Sequence, residues 1–118
     1  LRIRDQGEAV RAYCYITDAM RLFWLGVFSP DALGETFNIA SMENITIFKF
    51  AELTHMLCYI KNPVQRCNTE TIDPVLLSAP LHVGASIQKA WGWFRWEPKI
   101  SLQDGLARTI AWNRGLHD

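Results

Sequence analysis

The chain has 118 residues, enough for one small domain with a modest core, and about half of them are hydrophobic, which excludes a disordered segment. Twelve acidic residues balance twelve Lys and Arg with no basic run, so neither nucleic acid nor an anionic membrane is expected as the main partner. The first residues do not read as a signal peptide, and the apolar stretch from Met20 to Phe28 is short and broken by Arg21, so a cytoplasmic protein is expected.

In chain order, Val10, Ala12, Cys14 and Ile16 alternate with Arg11, Tyr13 and Tyr15. This period of two predicts a strand over 9–16. Thr17 or Asp18 is expected to cap a helix reaching Phe28, with Met20, Phe23, Trp24 and Val27 on its apolar stripe and Ser29-Pro30-Asp31 as its stop. A second strand is predicted over 35–40, after Gly34. Residues 41–45 read as a loop. Thr46 is the expected N-cap of a helix to about Ile60, with Phe50, Leu53, Leu57 and Ile60 as its stripe and Asn62-Pro63 as its end. The stretch 63–85 holds three prolines and no clear period. Ser86 is placed as the cap of a short helix to Phe94. Ser101, with Asp104 three residues on, resembles a capping box for a last helix to about Arg114, carrying Leu102, Leu106 and Ile110 at i, i+4, i+8 and stopped by Gly115.

Cys14, Cys58 and Cys67 are an odd count without paired spacing, so reduced thiols are expected. His55, Cys58, Cys67 and His82 can be written as a zinc quartet, but only the first two have compact spacing, and no metal is expected. No Ser/His/Asp or Cys/His motif supports nucleophilic catalysis. The chain opens on Leu1 rather than Met, which reads as a fragment or a gene remnant.

Three stretches, in order, carry a family likeness. RAYCYITDA at 11–19 resembles an R-x-F-x-Y-V-x-D-x segment. GETFNIAS at 34–41 followed by ITIFKFAEL at 45–53 resembles G-x-x-Y-N-I-G and I-T-I-x-E-L-A. WEPKISLQDGLARTIAW at 96–112 resembles W-x-P-x-x-S-L-E-x-G-L-x-x-T-I-x-W. Together they resemble the carboxyl-terminal portion of the extended short-chain dehydrogenases/reductases, the NAD-dependent nucleotide-sugar epimerases, dehydratases and decarboxylases. The resemblance implies an α/β fold: a partial Rossmann-like end piece plus a small substrate-binding lobe, with about four helices and a few short strands, taken as one domain over 1–118. It implies a nucleotide-sugar ligand, bound weakly, and NAD(P) in a longer parent. No cofactor is expected on this chain alone, because the Gly-rich turn is missing and Tyr13, Tyr15 and Tyr59 are followed at the spacing of the family's Tyr–Lys pair by Thr17, Ala19 and Pro63.

Residue by residue, the resemblance makes Arg11 a diphosphate contact, a task its planar fork suits, with Tyr13 beside it in a cleft. Where many members carry a second Arg, this chain reads Leu81-His82-Val83-Gly84-Ala85-Ser86. His82 is left to offer one hydrogen bond. Asp18 is expected to cap a helix, Asn38 to tie a loop, Ser86 to cap, and Trp96 to pack with Trp91, Trp93 and Phe94. Arg95 stands where the family usually has Gly. Two functions compete: the substrate-binding part of a nucleotide-sugar enzyme, catalytically incomplete alone, or a stand-alone binding or dimerisation module derived from one. In either case a homo-oligomer is expected.

Overall fold

The computed structural model describes residues 1–4, 6–67 and 80–115. They fall into two compact units, one built from Leu1–Arg11, Ile45–Val83 and the chain from Leu106, the other from Ala12–Asn44 and Gly84–Gly105. The element order is β1 (Arg2–Arg4), β2 (Val10–Arg11), α1 (Ile16–Val27), β3 (Ile45–Thr46), α2 (Ile47–Leu57), β4 (Gln65–Cys67), β5 (His82–Val83), α3 (Gln88–Phe94) and α4 (Leu102–Gly115). The class is mixed α/β, as the periodicities predict: four helices and a few short strands among the described residues.

In the first unit, β1 pairs in parallel with β4, and β2 lies between β3, antiparallel, and β5, parallel. The strand expected over 9–16 shrinks to two residues. A strand exists only where a partner supplies its hydrogen bonds, and β3 and β5 reach no further than Val10 and Arg11. Thr46 caps α2, its Oγ1 accepting the Lys49 N–H at 3.2 Å. The helix stops at Leu57, short of Asn62-Pro63, because Tyr59 turns into the left-handed region at φ +57°. Its buried face is Ala51 and His55, one turn apart, rather than the expected Phe50, Leu53, Leu57 and Ile60, of which the first three are half-buried and Ile60 is exposed. His55 Nδ1 lies 3.0 Å from the Asn62 carbonyl. That bond ties the helix to the chain that leaves it. β4 and β5 fall in the stretch without a readable period, and residues 68–79 between them lie outside the described residues.

In the second unit the core is Leu22, Ala90 and Trp96, with Cys14, Phe37, Ile87 and Phe94 packed against it. Trp96 is 1% exposed; burying an indole contributes roughly 5 kcal/mol before the entropy of ordering it. Its Nε1 donates to the Asp18 carbonyl at 3.0 Å. The Asp18 carboxylate is itself buried, and its Oδ2 accepts the backbone N–H of both Lys99 and Ile100 at 2.8 Å. This corrects the expected cap. α1 begins at Ile16 after Tyr15 with no side-chain cap, so Asp18 lies inside the first turn and holds the Trp96–Ile100 segment. Arg21 flanks it, 3.7 Å from Oδ1 and donating to the Glu97 carbonyl. Burial pushes the Cys14 thiol above its ordinary range, the Asp18 carboxylate adds to that push, and Arg21 opposes it.

The stripe expected to bury α1 is reversed. Met20, Phe23, Trp24 and Val27 are exposed, and Leu22 carries the packing. Residues 35–40 belong to no sheet, since no described strand runs beside them. Only Ala40 in that stretch is buried, and Phe37 is half-buried against the core. α3 ends on Arg95 at φ +52°, a conformation that favours glycine. Its guanidinium lies 5.4 Å over the Trp91 ring, an exposed cation–π contact that offsets part of the strain. α4 opens with the Ser101 Oγ accepting the Asp104 N–H at 3.1 Å. A Cβ on Gly105 would meet Tyr15 Cδ2 at 3.0 Å, so only glycine lets the first turn of α4 approach that ring.

Two outcomes follow. Arg95→Ala removes the cation–π contact and keeps the strained backbone, whereas Arg95→Gly relieves it. Chemical denaturation is expected to rank Gly above Ala by about 1 kcal/mol. Asp18→Ala leaves the Lys99 and Ile100 amides without their buried acceptor and is expected to cost about 2–4 kcal/mol, read from the same denaturation midpoint.

Candidate functional site

Arg11 closes β2 in the first unit and is half-buried. The strand is fixed by Val10, whose N–H donates to the Leu81 carbonyl at 2.6 Å. The guanidinium then folds back on the same segment. Nη1 donates to the carbonyls of Val10 at 2.7 Å, Pro80 at 3.1 Å and, more weakly, Leu81 at 3.5 Å. Among the described residues no hydrogen bond reaches Nε or Nη2. The arrangement holds a planar cation at the end of the central strand, with one nitrogen committed to main chain.

His82, the other expected ligand contact in this unit, is not turned toward it. The register sets His82 opposite Val10 and Val83 opposite Arg11. Side chains alternate faces along a strand, so His82, which is exposed, stands on the face away from Arg11. Tyr13 is half-buried and belongs to the second unit.

The four residues expected to be structural all lie in the second unit. Besides Asp18 and Trp96, Asn38 Nδ2 donates to the Ser86 carbonyl at 3.1 Å; the Ser86 Oγ accepts the Gln88 N–H at 3.3 Å, but Ile87 takes the N-cap place of α3, so Ser86 stands one residue before it rather than capping as expected. Of the clustered tryptophans only Trp96 is buried; Trp91 and Trp93 are each more than two-fifths exposed. Trp93 packs edge-on to Phe37 at 5.3 Å.

Two open apolar grooves flank α1. One, of about 580 Å3, is lined by Leu22, Phe23, Val27, Leu33, Phe37 and Ile39 among others. The second, of about 600 Å3, runs between Trp24, Leu25, Phe28, Trp93 and Phe94 with Arg21 at its side. Neither gathers a set of titratable side chains, and no group of three metal-ligating residues exists among the described residues. No described helix is long and apolar enough to cross a membrane.

Among the described residues no helix offers the start that a dinucleotide's pyrophosphate takes in a Rossmann fold. Such a cofactor needs its pyrophosphate on a helix that opens from a Gly-rich turn, and α1, α2, α3 and α4 are preceded by Tyr15, Thr46, Ile87 and Ser101. Sequence reasoning missed the main-chain groups: the Pro80 and Leu81 carbonyls under Arg11 and the Lys99 and Ile100 amides on Asp18. Every residue type supplies the carbonyl and every one but proline the amide, so no letter in the sequence marks them.

No family model matches the chain. It is 28% identical over 117 residues to an uncharacterized UDP-glucose epimerase of Bacillus subtilis, covering 99% of this chain and 35% of that protein. It is 29% identical to a UDP-glucuronate 4-epimerase of Thermodesulfobacterium geofontis, covering 97% and 33%. Among solved structures, a UDP-glucose 4-epimerase of Thermotoga maritima, crystallised with UDP-glucose, superposes with a TM-score of 0.81 at 28% identity, over 100% of this chain and 36% of its own. The chain therefore spans about a third of the length of these relatives. In sequence along nearly all its residues, and in fold, it matches one third of a member of the NAD-dependent nucleotide-sugar epimerase, dehydratase and decarboxylase family, the extended short-chain dehydrogenases/reductases.

Proposed function

We propose that the chain is the substrate-binding part of a nucleotide-sugar epimerase, dehydratase or decarboxylase, and that it binds the nucleotide diphosphate weakly through Arg11 without turning a sugar over by itself. The observation that carries this reading is the match over 99% of the chain to a UDP-glucose epimerase, together with Arg11 held as a planar cation at the end of the central strand. The guanidinium suits phosphate because two parallel N–H groups meet two oxygens at the spacing a phosphate offers. NAD(P), and the Tyr–Lys pair that would move protons and hydride, belong to a longer parent. In this chain the chemistry is limited to gripping and orienting a diphosphate.

The test is a calorimetric titration of UDP-glucose into the chain and into Arg11→Ala. A charged hydrogen bond is worth about 1.5–3 kcal/mol, so the substitution is expected to weaken binding by roughly tenfold or more. Equal affinities would leave Arg11 an ordinary strand residue and overturn the reading.

The second reading, a binding or dimerisation module, is favoured by α1. Ile16, Met20, Phe23, Trp24 and Val27, with Phe28 just beyond the helix, are all exposed, and a helix that turns an apolar stripe to solvent is at home against a partner. In a longer parent the remaining two thirds of the enzyme cover that helix. In the isolated chain a second copy does so, by two-fold pairing. Light scattering over a range of concentrations is expected to give a mass above one chain's; a monomer at the highest concentration would remove the dimerisation reading.

A further inference from the structure

From the bonds that Arg11 makes, we infer that the Pro80–Leu81 main chain selects which edge of its guanidinium faces an anion: the side-on edge formed by Nε and Nη2. The inference rests on the proposed diphosphate role of Arg11 and adds a positioning device to it.

A guanidinium has two edges able to bind a phosphate in a bidentate way, the side-on pair Nε–H and Nη2–H and the end-on pair of the two terminal nitrogens. Three main-chain carbonyls converge on Nη1 alone, those of Val10, Pro80 and Leu81. Any end-on contact uses Nη1, and an incoming phosphate would have to displace those carbonyls, whose oxygens repel its own. Side-on contact uses neither the committed nitrogen nor its neighbours, and no described group bonds Nε or Nη2.

The acceptors are themselves fixed. Leu81 O also takes the Val10 N–H at 2.6 Å, so the hinge of the clamp is a rung of the sheet, and β5 follows at once with His82 paired to Val10. The ring of Pro80 fixes φ there, so the segment that carries these carbonyls has one soft torsion fewer. The planar group is thus ordered before a ligand arrives, which reduces the entropy lost on binding. Lysine at position 11 would have one nitrogen to divide between carbonyls and phosphate, so it could not serve both.

Nitrogen-15 NMR of the arginine side chains of the whole chain tests this, with Arg11 assigned by the Arg11→Lys variant and UDP as the probe. Restricted rotation about Cζ–Nε is expected to give separate Nη1 and Nη2 resonances in the free chain. Adding UDP to millimolar concentration is expected to shift Nε–H and Nη2 downfield and leave Nη1 in place. A single averaged Nη resonance, or a shift at Nη1 with Nε unmoved, overturns the clamp while leaving Arg11 as a ligand contact. Separate Nη resonances with no Arg11 response to UDP overturn the diphosphate role itself. As a second measurement, Pro80→Gly loosens the carbonyl segment and is expected to lower UDP affinity severalfold with the melting temperature little changed; unaltered affinity counts against the clamp.

Discussion

The second unit depends on one buried carboxylate. Asp18 at 3% exposure has left water, and a charge in that position is tolerated only when hydrogen bonds replace its hydration. The Lys99 and Ile100 amides do so, and the Trp96 indole bonds the carbonyl of the same residue. Residues far apart in sequence are thereby joined at one point by three bonds. Trp96 is positioned by the same residue that α1 presents, and the core of Leu22, Ala90 and Trp96 forms round it. The unit has no sheet among its described residues, so side-chain to main-chain bonds do the work that a ladder does elsewhere.

That division explains what the sequence disclosed. Two helix starts were legible because capping is local: Thr46 and Ser101 each accept an N–H three residues on. Helical faces were less so. The predicted stripes of α1 and α2 collected the largest apolar side chains, whereas the packed positions are Leu22 in one and Ala51 with His55 in the other. Size and hydrophobicity identify residues that want cover, not residues that find it within this length of chain. Strands were least legible. A two-residue strand has no period, and its existence is decided by partners distant in sequence, as β2 is by β3 and β5.

Arg11 was singled out by resemblance, and alternation along β2 sets it on the other face from Val10. The chemistry round it was not readable, because its acceptors are peptide carbonyls. The same limit explains Asp18: its residue type and place after a strand read as a helix cap, while its true partners lie beyond residue 95, where nothing in the letters pointed back. His82 could be placed only once the register was known, since a shift of one residue along β5 would have put it on the face of Arg11.

Arg95 carries a history in its geometry. Every glycine codon becomes an arginine codon through a change of its first base, so a left-handed helix end is reachable by arginine in one mutational step. The penalty of about 1 kcal/mol is small beside the several that separate a folded domain from its unfolded chain. The Trp91 ring beneath the guanidinium returns part of it. A lineage can therefore hold such a residue without selection for it, and a substitution at a helix stop need not signal a new task.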